Sequence, residues 1–578
     1  ATATNSIGNE SSCSNSSVTI VEDSAPPSPT LVTGSMPASP STDLTPQIVG
    51  TTESNATVKV FSDATCSTLV TTSSADNNGD FSIAVSVSAF TTTTFKVTAT
   101  DASGNESNCS STSVSYESYA IATGAAVLSS TEAVSGSNMN PSVASSLRWS
   151  ESYYDNDYYA HSLTTNNQQV QVLQNGSYLL TLNVPLTQGS VVYGRETPKF
   201  EVFVNNVKVP TALAESTYIR NASGHEESSA HFAVLLPDLS ASDVIDIRAS
   251  AGAPDLSTVL ISNKAKLYLE FIDTSTRSVF SATTTRTNNS TNLNQSTAYP
   301  LLWGSNKKDS SVYTHDNALN AENITIEESG DYLVFVNLPV QSNAQRASVS
   351  IRVKLDGSTV TGGSAQQGYI RADASTGNSK ATVHWSGLVS NVNAGQTLTI
   401  TTQQLGAGGT VNVTSSYEGS IYIEKVDSSS NTLSLTSSAL SSGANLNPTT
   451  ESTWSWSSLL NNIYDNSVFS HSTSSSNHQI TLLSSGDYLL IYNDSITSSV
   501  QRANNVISVK VNGTLVDGAQ VKSHYIRASG HSHSSGSMVV FLRNLQANDV
   551  ITLTSQAEAS TGTVSAFDPS LLTIIKKR

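Results

Sequence analysis

Tyr218-Ile219-Arg220, Tyr369-Ile370-Arg371 and Tyr525-Ile526-Arg527 are one tripeptide written three times. An arginine stands 23 residues ahead of each tyrosine: Arg195, Arg346 and Arg502 (218−195, 369−346, 525−502). A second fixed pair lies upstream. His161, His315 and His471 each follow an aromatic residue by two positions (Tyr159, Tyr313, Phe469) and precede Gly176, Gly330 and Gly486 by 15 (176−161, 330−315, 486−471). Each glycine opens the same strand signal: Gly-Ser-Tyr-Leu-Leu, Gly-Asp-Tyr-Leu-Val or Gly-Asp-Tyr-Leu-Leu. Two independent spacings kept over three copies make the last four-fifths of the chain one unit in triplicate.

The chain has 578 residues, room for about four domains of roughly 150 residues each. Only 13% of residues are charged and the net charge is −17. That balance argues against nucleic acid, whose phosphates need a cationic face. It argues equally against docking on an anionic membrane. No run of 18 apolar residues is present, so no transmembrane helix is expected. A weakly charged, Thr- and Val-rich chain punctuated by Gly, Asn and Asp reads as extracellular and all-β.

The first residues repeat later ones. Ala3-Thr4-Asn5-Ser6-Ile7-Gly8-Asn9-Glu10 matches Ala99-Thr100-Asp101-Ala102-Ser103-Gly104-Asn105-Glu106 at an offset of 96 (99−3). Residues 1–23 therefore read as the C-terminal remnant of a repeat whose complete successor spans 24–117, and the chain as a piece of a longer protein. The complete repeat holds two cysteines, Cys66 and Cys109, suited to one disulfide; a bridge from Cys13 to either is the alternative. Such a bond implies an oxidising compartment. Closing a loop of about 40 residues would stabilise the domain by roughly 3–4 kcal/mol. Pro26-Pro27-Ser28-Pro29 suits a semi-rigid spacer. Asp76-Asn77-Asn78-Gly79-Asp80 invites a calcium ion, but it lacks the EF-hand spacing, and an ordinary β-turn is simpler.

About seven short strand signals in this stretch predict a β-sandwich. Pro46-Gln47-Ile48-Val49-Gly50, Asn78-Gly79-Asp80-Phe81-Ser82 and Val97-Thr98-Ala99-Thr100-Asp101-Ala102-Ser103-Gly104-Asn105-Glu106-Ser107 resemble the bacterial immunoglobulin-like repeats of giant surface adhesins. The resemblance implies stalk modules in tandem arrays. Many such repeats lack the cysteine pair.

The triplicated units read as 118–273, 274–427 and 428–578. Each is expected to start on a short strand (Ala120-Ile121-Ala122, Val279-Phe280-Ser281, Leu433-Ser434-Leu435). A tryptophan follows: Trp149, Trp303, and Trp454 or Trp456. Asn205-Asn206, Asp356-Gly357 and Asn512-Gly513 mark a hairpin after each arginine. Later strands end at Leu239, Leu388 and Leu545, and an apolar strand closes each unit. Eight to ten strands and no helix is the count of a jelly roll. The Gly-x-Tyr-Leu strand, the Leu-x-x-x-Asp-x-Ile element and the apolar closing strand resemble the tumour necrosis factor and complement-head jelly-roll superfamily. That resemblance implies trimers around a three-fold axis and first and last strands side by side. Links of about five residues then permit a single-chain pseudo-trimer. A string of beads, or three chains trimerising at each bead, is the rival. The fold class is thus all-β, with immunoglobulin-like sandwiches followed by three tandem jelly rolls.

Candidate site residues fall into three sets. Tyr153, Tyr154, Asp155, Asp157 and Tyr158 form a Tyr-rich cluster found only in the first unit, a composition suited to recognition, since Tyr gives large contact area at low entropic cost. The same composition suits a calcium ion. Arg195, Arg346, Arg502, Tyr218, Arg220, Tyr369, Arg371, Tyr525 and Arg527 read as scaffold or inter-unit groups, arginine offering five donors in a rigid fork. His161, His315 and His471 read as structural. Ser223-Gly224-His225 and Ser529-Gly530-His531-Ser532-His533 read as polar surface loops. A Ser/His nucleophile there lacks an acid orienter, and unit two has no matching histidine. No metal or other cofactor is expected beyond the calcium option, and no enzyme, because no acidic pair repeats. The expected role is a stalk and head of a bacterial fibre or adhesin, with a glycan or protein on another surface as partner. The alternative is an extracellular filament that assembles from its own copies.

Overall fold

The structure, a computed structural model, describes the chain except residues 1, 17–24, 26, 28–29, 89–90, 120, 190–194, 216–217, 221–224, 253–256, 367, 372–377, 523–524, 528–529 and 559–561. The boundary expected at 23/24, most of the proline spacer, Ala120, Ser223-Gly224, 374–377 and Ser529 lie outside the described residues. The chain divides into two compact units, 1–120 and 121–578. The described residues contain strands and no helix.

In the first unit, strands Leu31–Met36, Gln47–Thr51 and Asp80–Ala84 form one sheet. Leu69–Ser74, Thr57–Phe61, Thr92–Thr100 and Val114–Glu117 form the other. Alternating apolar residues put Ile48, Val58, Val60, Phe81, Ile83, Phe95 and Val97 into one core between them. Cys66 and Cys109 are joined, with Cα atoms 5.8 Å apart, and Cys13 is free and exposed. The 96-residue repeat is visible as geometry. Thr4 bridges Glu10 as Thr100 bridges Glu106. Asn5 accepts from the Ile7 and Asn9 amides, and Asp101 accepts in the same way from Ser103 and Asn105.

The second unit contains three sandwiches built to one plan. The inner sheet of the first runs Glu151–Tyr154, Ala125–Ser130, Ala265–Ile272, Gly176–Gln188, Glu227–Leu239. The second repeats it with Asn306–Lys308, Val279–Thr284, Gly419–Val426, Gly330–Ser342, Lys380–Val392, and the third with Ser458–Tyr464, Thr432–Ser437, Ser565–Lys576, Gly486–Thr497, His533–Leu545. First and last strands pair antiparallel in every copy, so a short turn carries the chain onward. The hairpins fall where their dipeptides stand. Both central residues have positive φ: 50° and 64° at Asn205-Asn206, 47° and 79° at Asp356-Gly357, 51° and 80° at Asn512-Gly513. That is the type I′ geometry matching strand twist.

Two strand expectations shift. The first copy opens at Ala125–Ser130, not at Ala120–Ala122, because Gly124 turns the chain at φ +71° against Phe271. The strand signal was missed because all six residues are buried, which erases alternation. In the second copy Val392, not Leu388, is the counterpart of Leu239 and Leu545: it pairs with Gly330 as they pair with Gly176 and Gly486.

The three sandwiches close on one another. In the Gly176–Gln188 strand, Leu180, Leu182 and Val184 point into their own sandwich core. Asn183 alternates with them and reaches a neighbour. Its Nδ2 donates to the carbonyls of Gly518 (2.7 Å) and Gln520 (2.9 Å) in the third sandwich. Asn337 donates likewise to Thr211 (3.0 Å) and Leu213 (3.3 Å) of the first, and Asn493 to Gly362 (3.5 Å) and Ser364 (3.3 Å) of the second. The second sandwich grips the first, the third grips the second, and the first grips the third, which closes the ring. The single-chain pseudo-trimer is the arrangement found.

Three residues at one equivalent strand end differ: Glu215, Gln366 and Lys522. Lys522 pairs with Glu227 at 2.8 Å across the third–first contact. Gln366 accepts from Ser495 and Ser535 at 2.8 Å across the second–third contact. Glu215 faces Lys380 across the first–second contact.

Two predictions follow from closure. Sedimentation equilibrium of the full chain should give the mass of one chain, 60.7 kDa; three times that mass would mean that trimers form between chains. Asn337→Ala should lower stability in urea by about 1–3 kcal/mol, because the carbonyls of Thr211 and Leu213 lose a buried donor. An unchanged midpoint would show that the ladder contributes nothing.

Candidate functional site

The three copies of Tyr-Ile-Arg meet. Tyr218, Tyr369 and Tyr525 form a buried cluster of their own on the pseudo-three-fold axis. Ring centroids are 4.9 Å apart for Tyr369–Tyr525, 5.6 Å for Tyr218–Tyr369 and 5.9 Å for Tyr218–Tyr525. Edge and tilted contacts of this kind are favoured by the ring quadrupole.

The constant 23-residue interval is explained by backbone pairing. Arg195 lies opposite Arg220 in a two-stranded ladder. Arg346 N–H donates to Ile370 (3.0 Å) and Arg502 N–H to Ile526 (2.8 Å). Only Ile219–Arg220 is a strand; the other two copies are extended segments held by these bonds. The pairing sets the backbone of all six arginines, each half-buried, beside the three Tyr-Ile-Arg copies. Burial pushes the Tyr218 hydroxyl above its ordinary range, and the nearby Arg195, Arg371 and Arg220 pull it back. Arg346 reaches the third sandwich, where its side chain lies against Gly530.

Two histidines expected in surface loops are buried here instead. The His225 ring lies 4.2 Å from Tyr525 and 6.0 Å from Tyr218, and its Nε2 donates to the Tyr218 carbonyl. His531 packs 5.3 Å from Tyr369. Asn378 takes this place in the second copy and accepts from Thr197 at 2.6 Å. Ser- and Gly-rich composition reads as surface, yet tyrosines of neighbouring sandwiches cover both histidines. His533 points the other way, onto Phe567 at 4.7 Å, so His531 and His533 do not share a metal.

The Tyr-rich cluster is largely committed to internal contacts. The Tyr153 ring is capped by the Arg543 guanidinium at 3.4 Å. Tyr154 donates to the His161 carbonyl at 2.9 Å. Tyr158 packs on Phe271 at 5.0 Å, and Asp155 accepts from Gly124 (2.9 Å) and Asp157 (3.1 Å). Asp157 is exposed. His161, His315 and His471 bond backbone carbonyls of Asn167 (3.1 Å), Ala321 (3.1 Å) and Trp456 (3.1 Å), a structural use in all three copies. Asp76 spends its carboxylate on the amides of Asn78 and Asp80. A cleft of about 710 Å³ opens at the other end of the sandwiches, lined by Glu328, Asp331, Lys425, Asp427 and Tyr464. Its Lys425 is paired with Glu328 at 2.6 Å.

Residues 37–115 match the family model of a bacterial Ig domain. Comparison with curated proteins finds no match for the chain. Among solved structures, murine APRIL at pH 8.5 is similar over 25% of this chain and 99% of its own, at 12% identity and a TM-score of 0.18. PNGF-II is similar over 70% of this chain and 100% of its own, at 9% identity and a TM-score of 0.20. A β-porphyranase of glycoside hydrolase family 86 from the human gut bacterium Bacteroides plebeius is similar over 48% of this chain and 39% of its own, at 10% identity and a TM-score of 0.16. Likeness this faint carries neither family nor activity; the β-sandwich architecture stands on the sheets themselves. A bacterial Ig domain and a disulfide are features of an extracellular protein. No helix among the described residues is long and apolar enough to cross a membrane.

Proposed function

We propose that the chain is the recognition end of a bacterial surface or secreted protein, in which immunoglobulin-like modules carry a pseudo-trimeric head that binds a glycan or protein on another surface. The arginine crown supports this best. The three copies place six half-buried arginines at one end of the axis, in a protein whose net charge is −17. Stability alone does not ask for such a cluster, because like charges in proximity repel. The crown also lies at the far end of the long central strands from Gly124 and the turn at Asp273, where the chain enters and leaves the first sandwich. Glycan and protein arrays probed with the full chain test the reading. Saturable binding to a defined partner supports adhesion. No binding, together with growth of particles as concentration rises, would replace it with an extracellular filament built from copies of the chain.

A further inference from the structure

We infer that the arginine crown binds the carboxylate or sulfate groups of an acidic polysaccharide, an inference that rests on the recognition role above and gives it a ligand class. Arg195, Arg220, Arg502 and Arg527 make no ion pair with a carboxylate among the described residues. Guanidinium groups gathered in one place repel one another. A bound anion would offset that repulsion for several arginines at once.

The backbone and the donors agree with the charge. Arg346 and Arg502 occupy the left-handed region at φ 64° and 63°. That conformation is strained for a non-glycine residue, and such outliers collect at binding sites. The Arg502 Nε is buried and has no hydrogen-bond acceptor among the described residues. Guanidinium forks match the paired oxygens of carboxylates and sulfates.

The surrounding field selects the kind of anion. The protein as a whole is strongly acidic, so a ligand of dense charge, such as nucleic acid or an anionic bilayer, is repelled around the crown. A polysaccharide spaces its anions along neutral sugar rings. It can set one group in the crown without bringing many others against the acidic surface.

Surface plasmon resonance with the immobilised full chain tests this with three probes: polygalacturonate, dextran sulfate and neutral dextran. At least one polyanion should bind, weakening as sodium chloride rises, and neutral dextran should not. The two polyanions separate carboxylate from sulfate recognition. Arg220→Gln with Arg527→Gln should weaken binding at least tenfold, whereas Lys425→Gln with Lys510→Gln, which remove the same charge at ion pairs outside the crown, should leave it unchanged. If the arginine pair melts early, Arg220→Lys with Arg527→Lys keeps the charge without the fork and should still lose at least threefold. Equal binding by parent and crown variants overturns the inference, as does failure of both polyanions to bind. If both fail while the arrays yield a neutral glycan or a protein, the ligand class falls and the recognition role stands. If nothing binds in either experiment, both fall.

Discussion

Arg277→Ala should cost the folded chain about 3–5 kcal/mol, the range for removing one partner of a buried ion pair. Arg277 sits in the turn between the first and second sandwiches. Its Nε and Nη2 donate to both oxygens of Glu424 at 2.5 and 2.7 Å, and its Nη1 donates to Glu270 at 2.8 Å. Both carboxylates are about 95% buried, at 4% and 5% exposure. Burial alone would push Glu270 up; Arg277, then Lys577, overcome that and hold it well below the usual carboxylate range. Without the guanidinium, Glu424 keeps, among the described residues, the Tyr422 hydroxyl at 2.8 Å. The linkage fixes a pH signature. In the parent, Glu270 is depressed, so its stabilisation is present at neutral pH and fades under acid. In the variant, Glu270 loses the larger of the two cations that depress it and keeps only part of that stabilisation. The gap between the two urea midpoints should therefore narrow as pH falls below about 4.5 toward 2. Arg277→Lys should fall between, since lysine cannot fork. A constant gap across that range would contradict the account.

His231→Gln with His384→Gln should remove a large part of the chain's sensitivity to acid. The two rings meet edge to face at 4.4 Å on the axis, in a small polar cavity lined by Glu215, Ser229, Gln366, Thr382, Ser535 and Ser537. Burial pushes His231 down to about 3, and burial together with His231 pushes His384 well below the ordinary imidazole value. Both are depressed, so their contribution is whole above about pH 6.5 and is lost as pH falls below it. For His231 alone the loss between pH 7 and pH 4 is about 3 kcal/mol. Glu215, Asp494 and Glu558 act in the opposite sense. Burial raises them to about 7, 7 and 8, so what they contribute is present in acid and lost as pH rises through those values. The parent's profile is the difference of the two groups. The double variant isolates the histidines: its change in stability from pH 7 to pH 4 should be more favourable than the parent's by at least 3 kcal/mol. Parallel profiles would show that the rings are not neutral in the fold.

Much of this was legible because it is local. Asn205-Asn206, Asp356-Gly357 and Asn512-Gly513 carry their turn type in their own chemistry. The Gly-x-Tyr-Leu strands announce themselves by composition. What lay hidden is the traffic between copies. Asn183, Asn337 and Asn493 stand seven residues after Gly176, Gly330 and Gly486 (183−176, 337−330, 493−486). That spacing was as regular as the tripeptide. Its meaning needed the neighbouring carbonyls, which lie more than a hundred residues away. His225 and His531 were misplaced for the same reason. A serine-rich stretch is judged by its own polarity, and nothing local says that a tyrosine of another sandwich will cover its histidine. Arg277 carries no local signal, because its two acids come from the closing strands of different sandwiches.

The ring of Glu215, Gln366 and Lys522 has a consequence for variation. In a trimer of identical chains a substitution at such a position appears three times, and three like charges then crowd the same axis. Here each position mutates once. An acid can face a base, an amide can face two hydroxyls, and a change harmful in triplicate is tested singly. Fusing the copies into one chain thus lowers the barrier to change at the centre of the molecule, where a symmetric assembly is most conservative.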